Sequence, residues 1–526
     1  MSDSNKQASD VYIDEKNAFP NSVVPVATAV PAFIGYTPKA EYGGESYTNV
    51  AYKITSMAEF EAIYCFPNPT PPADPVKQYD PQYYLVAQRE RPSQGKYIKI
   101  RNSFYSILPD PNTIYYLYNS VRLFFENGGA GAYIVSVGGY GLPSKKPVEQ
   151  SAQIVNDNVS LNDLKTGLEL LIKQREPTMY ICPEATLLSP QENAILTQVM
   201  LLQTEEMETS LAIFDIIGGR DPDPLTWYRD IQNFRNSTGV RGLKYGVCYY
   251  PFVGTNMMGP SDIDYRNLFG GNIKSLSALI NPPDAPNSAV KKVLDMIEKP
   301  PVDPMTPRQY NALLETASKA YALIMKYILA DVNLIPPSGG MAGVYANNDD
   351  TYGVWQAPEN TSMYGVVSVP ILFSDSDQAG LSVDAVSGKS INSIRFFPGQ
   401  GILVWGARTL DGNSMDWRYV SVRRTMTFLE QSVKLAARAY IFELNDSNTW
   451  SAVKSMIGSF LTSVWKQGGL QGKSPADAFS VDIGLGSTMS PEDLLNGFMR
   501  VTVKVAVVRP AEFIVFTFEQ QMAKSD

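Results

Sequence analysis

The final third of the chain has the clearest pattern of apolar and polar positions, and it predicts two amphipathic helices. Apolar residues recur at three- and four-residue spacing in residues 421–442 and again in residues 448–469. Gly468 and Gly469 supply a stop for the second helix. The two apolar stripes are Val422, Met426, Leu429, Val433, Ala437 and Tyr440 in the first helix, and Trp450, Val453, Ile457, Phe460 and Val464 in the second.

Beyond these helices the pattern changes to that of strands. Alternate residues from Val501 to Val507 are valines, while the intervening positions are mostly polar, as in a half-buried strand. Arg509-Pro510 interrupts this strand, and the next segment, Phe513 to Phe518, is apolar on both faces. Such a segment is prone to aggregation unless another strand pairs with it. The end of the chain therefore predicts a strand that needs a partner.

The earlier part of the chain predicts α/β layers. Helical stripes alternate with short apolar strands between residues 117 and 251, which is the pattern of an α/β architecture. A short helix capped by Ser56 precedes this region, and a single helix is predicted from about Arg308 to Ala330. Residues 1–10 are polar, and Val11 to Glu15 form a candidate strand in a tethered arm.

Composition and charge narrow the classes of function. The net charge of -9 and the absence of clustered Lys and Arg argue against nucleic acid or an anionic membrane as the main partner. The three cysteines, Cys65, Cys182 and Cys248, are far apart and predict neither a disulfide framework nor a metal site. The N-terminus lacks the features of a cleaved signal peptide, and no apolar stretch is long enough to span a membrane. These features predict synthesis in a reducing cytoplasm without a signal peptide.

The sequence contains no histidine, which removes the side chain best suited to proton transfer near neutral pH.

Three short motifs resemble nucleotide-binding or cation-binding segments. GGLQGKS at 468–474 and NGGAGAY at 127–133 lack the spacing or the context of a nucleotide-binding loop, so both are interpreted as turns after helices. NNDDTYG at 347–353, with Asp349 and Asp350, is interpreted as a solvated turn rather than a cation site. Neither a cofactor nor a metal is predicted.

Several segments together resemble the contractile tail sheath family of phages, R-type bacteriocins and extracellular contractile injection systems. The resemblance covers both ends and most of the last third, in the order found in the family. The segments are VYIDEKNAFPNSVVPVATAVPAFIGYT, PPSGGMAGVYANNDDTYGVWQAPEN, NSIRFFPGQGILVWGARTL, VRRTMTFLEQSV, FELNDSNTW and RPAEFIVFTFEQ.

This resemblance implies a structural protein with a tail-sheath fold of mixed α+β and α/β domains. Its implied limits are an N-terminal extended arm at 1–22, outer α/β domains at 23–355, a sheath core domain at 356–508, and a donated strand and tail at 509–526. In the family, the N-terminal arm and the C-terminal strand reach into neighbouring subunits and complete a shared sheet. Transferred to this chain, the donors are Val11, Tyr12 and Ile13, and Phe513, Ile514, Val515, Phe516 and Phe518.

The resemblance also implies partners. Sheath subunits form a helical stack of hexameric rings around an inner tube protein, bounded by baseplate and terminator proteins; paralogous sheath subunits are further candidates. The resulting phage-tail-like particle is either released or kept inside the cell. Neither nucleic acid nor direct insertion into a membrane is expected. We also predict that Lys454 and Lys466, on the polar side of the second helix, contact the inner tube, with a solvated face as the alternative.

Two other classes of protein remain open at this stage. An α/β enzyme would need a cleft in the middle of the chain, with Asp215, Arg220 and Asp221 as the candidate residues. The usual interpretation of a strand end rich in Gly and Asp is a turn. Another component of the same contractile particle is the second alternative.

Overall fold

The computed structural model describes residues 22–69, 75–92 and 95–512. The α-helices are α1 (Met57–Tyr64), α2 (Leu117–Glu126), α3 (Leu161–Leu170), α4 (Pro190–Met207), α5 (Tyr228–Ser237), α6 (Ile273–Ile280), α7 (Ser288–Glu298), α8 (Pro307–Ala317), α9 (Lys319–Val332), α10 (Ser338–Tyr352), α11 (Asp375–Ser382), α12 (Val420–Ala437), α13 (Ser447–Lys466), α14 (Pro475–Ala478) and α15 (Pro491–Leu495). The strands are β1 (Pro31–Thr37), β2 (Glu41–Tyr42), β3 (Glu45–Ser46), β4 (Ala51–Ile54), β5 (Tyr83–Gln88), β6 (Tyr97–Ile100), β7 (Ser103–Pro109), β8 (Ala132–Gly139), β9 (Met179–Ile181), β10 (Leu211–Asp215), β11 (Gly246–Tyr250), β12 (Val253–Thr255), β13 (Leu334–Ile335), β14 (Val366–Ser368), β15 (Asn392–Phe397), β16 (Gly401–Trp405), β17 (Phe479–Ile483) and β18 (Val501–Val505).

The described residues fall into two compact units. Residues 22–26 and 428–508 form one, which we call the small unit. The other described residues, from 27 to 427 and from 509 to 512, form the large unit. The boundary at 355/356 predicted from the sequence falls inside the large unit, and the predicted domain limits stay predictions.

The large unit is built on an eight-stranded sheet with the strand order β16-β15-β11-β10-β9-β1-β8-β4. Its inner strands run parallel, and β16 and β4 pair antiparallel at the two edges. Strands β1, β9, β10 and β11 are buried along their whole length, as expected for parallel strands covered on both faces. The α/β architecture predicted from alternating helices and strands is confirmed.

Local signals predicted several element ends correctly. The Ser56 side chain accepts a hydrogen bond from the Glu59 backbone N–H and caps α1. Gly128, with φ of +99°, and Gly468, with φ of +88°, lie just after α2 and α13. Both glycine motifs are therefore helix-ending turns, as predicted.

Two predictions about helices were wrong. The helix predicted from Arg308 to Ala330 is two helices, because Ser318 adopts an extended conformation and its side chain caps α9 through the Tyr321 backbone N–H. The NNDDTYG segment is not a solvated turn. All but its final residue, Gly353, belong to the last turns of α10.

The small unit contains the rest of α12 from Phe428, together with α13, α14, α15 and the antiparallel pair β17 and β18. Both predicted helices are found, although α12 ends at Ala437 and Tyr440, the last residue of its predicted stripe, lies in the 3-10 turn that follows. The mixed multidomain fold class is confirmed, whereas the exchange of terminal strands stays a prediction.

Candidate assembly site

Strands β17 and β18 form a two-stranded sheet in the small unit, with Phe479 opposite Val505 and Val481 opposite Val503. Val481 is buried, whereas Val503 is 37% exposed. Within residues 22–69, 75–92 and 95–512, no third strand pairs with either one. A sheet of two strands is marginal in water and leaves backbone N–H and C=O groups unpaired along its outer edges. This sheet therefore has edges that added strands can pair with.

Helix α13 packs against β17 and supplies six buried side chains to the core of the small unit. The ring of Phe460 lies 5.9 Å from that of Phe428 on α12. Trp450, at the start of the predicted stripe, is only half-buried, and its indole N–H donates to the Asn445 side chain at 2.7 Å. The buried side chains of α13 are Val453, Met456, Ile457, Phe460, Leu461 and Val464.

Lys454 and Lys466 both lie on the exposed side of α13. Twelve positions apart, they are separated by about 18 Å along the axis and by roughly 120° around it. A partner that touches both lysines must therefore wrap partly around the helix. Their contact with an inner tube stays a prediction.

The residues predicted to donate strands, Val11, Tyr12, Ile13, Phe513, Ile514, Val515, Phe516 and Phe518, lie outside the described residues. The structure does describe the residues next to these segments, from residue 22 onward at the N-terminal end and up to residue 512 at the C-terminal end. The Val26 backbone N–H donates to the Ser432 hydroxyl at 3.2 Å, which ties the end of the N-terminal segment to α12 within the small unit.

At the C-terminal end, Glu512 is held by two side chains of the large unit. Arg408 donates from Nε to Glu512 Oε1 at 2.8 Å and from Nη2 to Oε2 at 2.5 Å. The Tyr419 hydroxyl donates to Oε2 at 3.1 Å. We call Arg408, Tyr419 and Glu512 the Glu512 clasp. Burial, and then the negative charge of Glu512, raise the pKa of Tyr419, so its hydroxyl stays protonated and able to donate.

Asp349, weighed from the sequence as a cation ligand, is paired with an arginine instead. Arg424 donates to its two carboxylate oxygens at 2.9 and 2.5 Å, and both side chains are about 5% exposed. The same guanidinium donates to the Thr28 carbonyl at 3.0 Å and lies over the Tyr345 ring at 4.7 Å. This buried arginine lies on α12, which corresponds to the first predicted amphipathic helix. The periodicity of that helix does not indicate which residue Arg424 pairs with.

The three residues considered for an enzyme site have structural partners or stand apart from one another. Asp215 accepts hydrogen bonds from Ser338 at the start of α10. Arg220 pairs with Asp331 at 2.5 Å and donates to the Tyr116 hydroxyl at 3.3 Å. Burial raises the pKa of Asp221. These contacts stabilise the fold and bring no nucleophile and base together.

One buried carboxylate was missed by sequence reasoning. Glu184 Oε1 accepts from the backbone N–H groups of Tyr116 and Leu117 at 3.1 and 2.8 Å, at the start of α2. Burial raises the pKa of Glu184 to about 7. A carboxylate that caps a helix far away in sequence leaves no local signal, so only the tertiary structure reveals it.

The C-terminal part of the chain is similar to a known family of proteins. Residues 413–521 match the family described as phage tail sheath C-terminal domain. The tail sheath protein of Vibrio phage KVP40 is 31% identical over 136 residues, which is 26% of this chain and 20% of the relative. The chain thus matches only about a fifth of the length of that curated relative.

The whole fold is similar to that of solved contractile sheaths. The sheath of an extracellular contractile injection system, PVC, in its contracted state aligns with a TM-score of 0.56 and 24% identity, covering 98% of each chain. The helical sheath of the anti-feeding prophage in its contracted state aligns with a TM-score of 0.57 and 23% identity, covering 98% of this chain and 99% of the other. The resemblance to contractile tail sheaths inferred from the sequence is confirmed, and the fold is that of a contractile sheath protein.

Among the described residues, none of the helices is both long enough and apolar enough to cross a bilayer.

Proposed function

We propose that this chain is the subunit of a contractile sheath, which polymerises as stacked hexameric rings around an inner tube and shortens to drive that tube through a target cell envelope. The observation that carries the proposal is the fold match over 98% of the chain to a sheath protein in its contracted state. The match of residues 413–521 to the tail sheath C-terminal domain supports it independently.

The small sheet of β17 and β18 is the proposed point of assembly. Terminal strands of neighbouring copies, Val11 to Ile13 and Phe513 to Phe518, would add to its edges. Main-chain hydrogen bonds would bind each donated strand to the sheet, and the pockets for alternate side chains would set the register between the donated strand and its neighbour. Because the donor and the acceptor are different surfaces, the contact is heterologous and builds a helix instead of closing into a dimer.

Contraction in this proposal is rigid-body rearrangement of subunits that stay linked by their exchanged strands. The extended sheath is a kinetically trapped state, and a modest drop in free energy per subunit is summed over many copies. Firing then needs neither a nucleotide nor a cofactor, and the protein acts as a structural component and not as an enzyme.

The partners proposed for the particle are further copies of this chain, the inner tube protein, the baseplate and the terminator proteins. Lys454 and Lys466 are proposed to face an acidic surface of the inner tube. We propose that the chain works as part of a phage-tail-like particle, as its similarity to contractile sheath proteins supports.

Imaging of the purified full-length protein by negative-stain electron microscopy tests this function. A sheath subunit gives hollow, transversely striated cylinders. An α/β enzyme gives discrete globular particles, and another component of the same machine gives single rings or smooth tubes; either result would overturn the proposal.

A further inference from the structure

The Glu512 clasp lies where the chain passes from one unit to the other. Strand β18 ends at Val505 in the small unit, and the chain enters the large unit at Arg509. Three residues later Glu512 is bound by Arg408 and Tyr419. The next residue, Phe513, begins the apolar segment proposed as the donated strand.

The arginine of the clasp is itself firmly held. Its side chain is only 5% exposed. Its backbone N–H donates to Asn392 Oδ1 at 2.8 Å, and its guanidinium also donates to the carbonyl of Ser382 at 3.3 Å. A bidentate Arg–carboxylate pair fixes both the position and the direction of the bound group. The Glu512 carboxylate is thus bound by an arginine whose own position is fixed by hydrogen bonds and burial.

Glu512 contributes little else to the fold. Its side chain is 20% exposed and ends the segment from Ala506 to Glu512, in which only Val507 forms an isolated bridge, with Leu470. The nearby pair of Arg509 with Asp416 is longer, at 3.8 Å, and its side chains are 43% and 79% exposed. Exposed pairs of that kind contribute little. Arg509 also donates from Nη1 to the Met415 carbonyl at 2.6 Å. The described attachment of this segment to the large unit therefore consists of that hydrogen bond and the contacts of Glu512, of which the bidentate ion pair is the stronger.

We propose that the Glu512 clasp is the anchor of the C-terminal donor strand. It fixes the point from which Phe513 onward leaves the subunit, and it transfers tension on that strand to the large unit before the tension reaches β18. Arg408 and Tyr419 act as positioning residues, since they act on a neighbouring subunit only through Glu512. This inference rests on the proposed function and names the residues that control its strand exchange.

The test compares Glu512→Gln with the matched control Asp416→Asn in the full-length protein. The glutamine keeps the size of the side chain and removes its charge, so the bidentate pair is lost, while the control removes the exposed pair close by. A third variant, Tyr419→Phe, removes only the hydroxyl that reaches Glu512.

Two readouts separate anchoring from general folding. In subunits kept unassembled at low concentration, a spin label on Ala511→Cys, an exposed position, is expected to have a rotational correlation time at least about twofold shorter in Glu512→Gln, intermediate in Tyr419→Phe and unchanged in Asp416→Asn. Hydrogen exchange in the strands of the large unit stays as in the wild type. In assembly assays, the protein concentration needed to form tubes is expected to rise at least about tenfold for Glu512→Gln only.

The outcomes distinguish this inference from the proposed function. Tubes from the wild type with unchanged label mobility in Glu512→Gln would show that the clasp does not hold the segment. Higher label mobility with unchanged tube formation would show that holding the segment is not needed for donation. A wild-type protein that forms no tubes under any condition would overturn the proposed function, and the anchor with it.

Discussion

The carboxylate of Asp215 accepts two hydrogen bonds from Ser338, one from the backbone N–H at 3.0 Å and one from the hydroxyl at 2.6 Å. Asp215 ends strand β10 and Ser338 begins helix α10, so the carboxylate satisfies donors that the first turn of a helix leaves free. A residue considered from the sequence for an enzyme cleft is therefore explained by its role as a helix cap.

The burial of Asp215 predicts a pH-dependent stability. Burial raises its pKa to about 7, although the bonds from Ser338 lower it. Because the folded state binds this proton more tightly than the unfolded chain, the stabilisation is fully present below about pH 4 and is lost as the pH rises towards 7. In chemical unfolding between pH 5 and 7, we expect the wild type to lose up to about 1.4 kcal/mol per pH unit relative to Asp215→Asn. The exposed control Asp303→Asn should keep the wild-type slope, and an equal slope in Asp215→Asn would contradict the prediction.

Truncation of the proposed donor strands should stop assembly and leave a folded subunit. We expect chains that lack residues 1–20, or that end at Val508, to remain monomeric because the sheet edge loses its partner. A chain that ends at Glu512 keeps the clasp and should be equally unable to polymerise. Size-exclusion chromatography with electron microscopy provides the measurement. Normal sheaths from any of these truncations would rule out strand exchange at that end.

The two exposed lysines of α13 predict a charge-dependent contact. Lys454→Glu with Lys466→Glu should leave polymerisation of the sheath protein alone unchanged. Binding of the inner tube protein in a pelleting assay should fall at least about tenfold at low salt, since the attraction becomes repulsion. Lys434→Glu, an exposed change on α12, serves as the control. Undiminished binding by the double variant would favour a simple solvated face.

The core of the small unit should depend on α13. Leu461 is fully buried, and Leu461→Ala is expected to lower the free energy of unfolding by about 2–5 kcal/mol. Leu435 on α12 is 48% exposed, and Leu435→Ala should change the free energy of unfolding by less than about 1 kcal/mol. Equal losses for the two variants in denaturant unfolding would show that α13 does not form this core.

Periodicity predicted the parts of the fold that depend on local pattern. Helices α12 and α13 follow their apolar stripes, and the buried parallel strands follow their apolar runs. Helix α10 was missed because its sequence opens with Ser-Gly-Gly, which has poor helix propensity. Those glycines are needed for close packing: a Cβ at Gly339 would come within 2.6 Å of the Ser120 carbonyl oxygen, and one at Gly343 within 2.5 Å of that of Phe124. Tertiary packing against α2 thus overrides the local preference.

The contacts around the candidate assembly site could not be predicted for a different reason. Arg408 and Glu512 are 104 positions apart, and Arg424 and Asp349 are 75 apart. Such pairs leave no periodic signal, so only the fold shows which charges meet. The donated C-terminal strand rests on sequence pattern alone, namely the apolar residues of 513–518 and the break at Arg509-Pro510, and it stays a prediction.

A cryo-electron microscopy reconstruction of the polymer formed by the full-length protein tests the central claim most directly. Our account predicts a hollow helical tube in which β17 and β18 are flanked by strands from neighbouring copies, with residues 513–518 as one of them. A tube in which this sheet keeps only its own two strands, or in which residues 513–518 pair within their own subunit, would contradict the account.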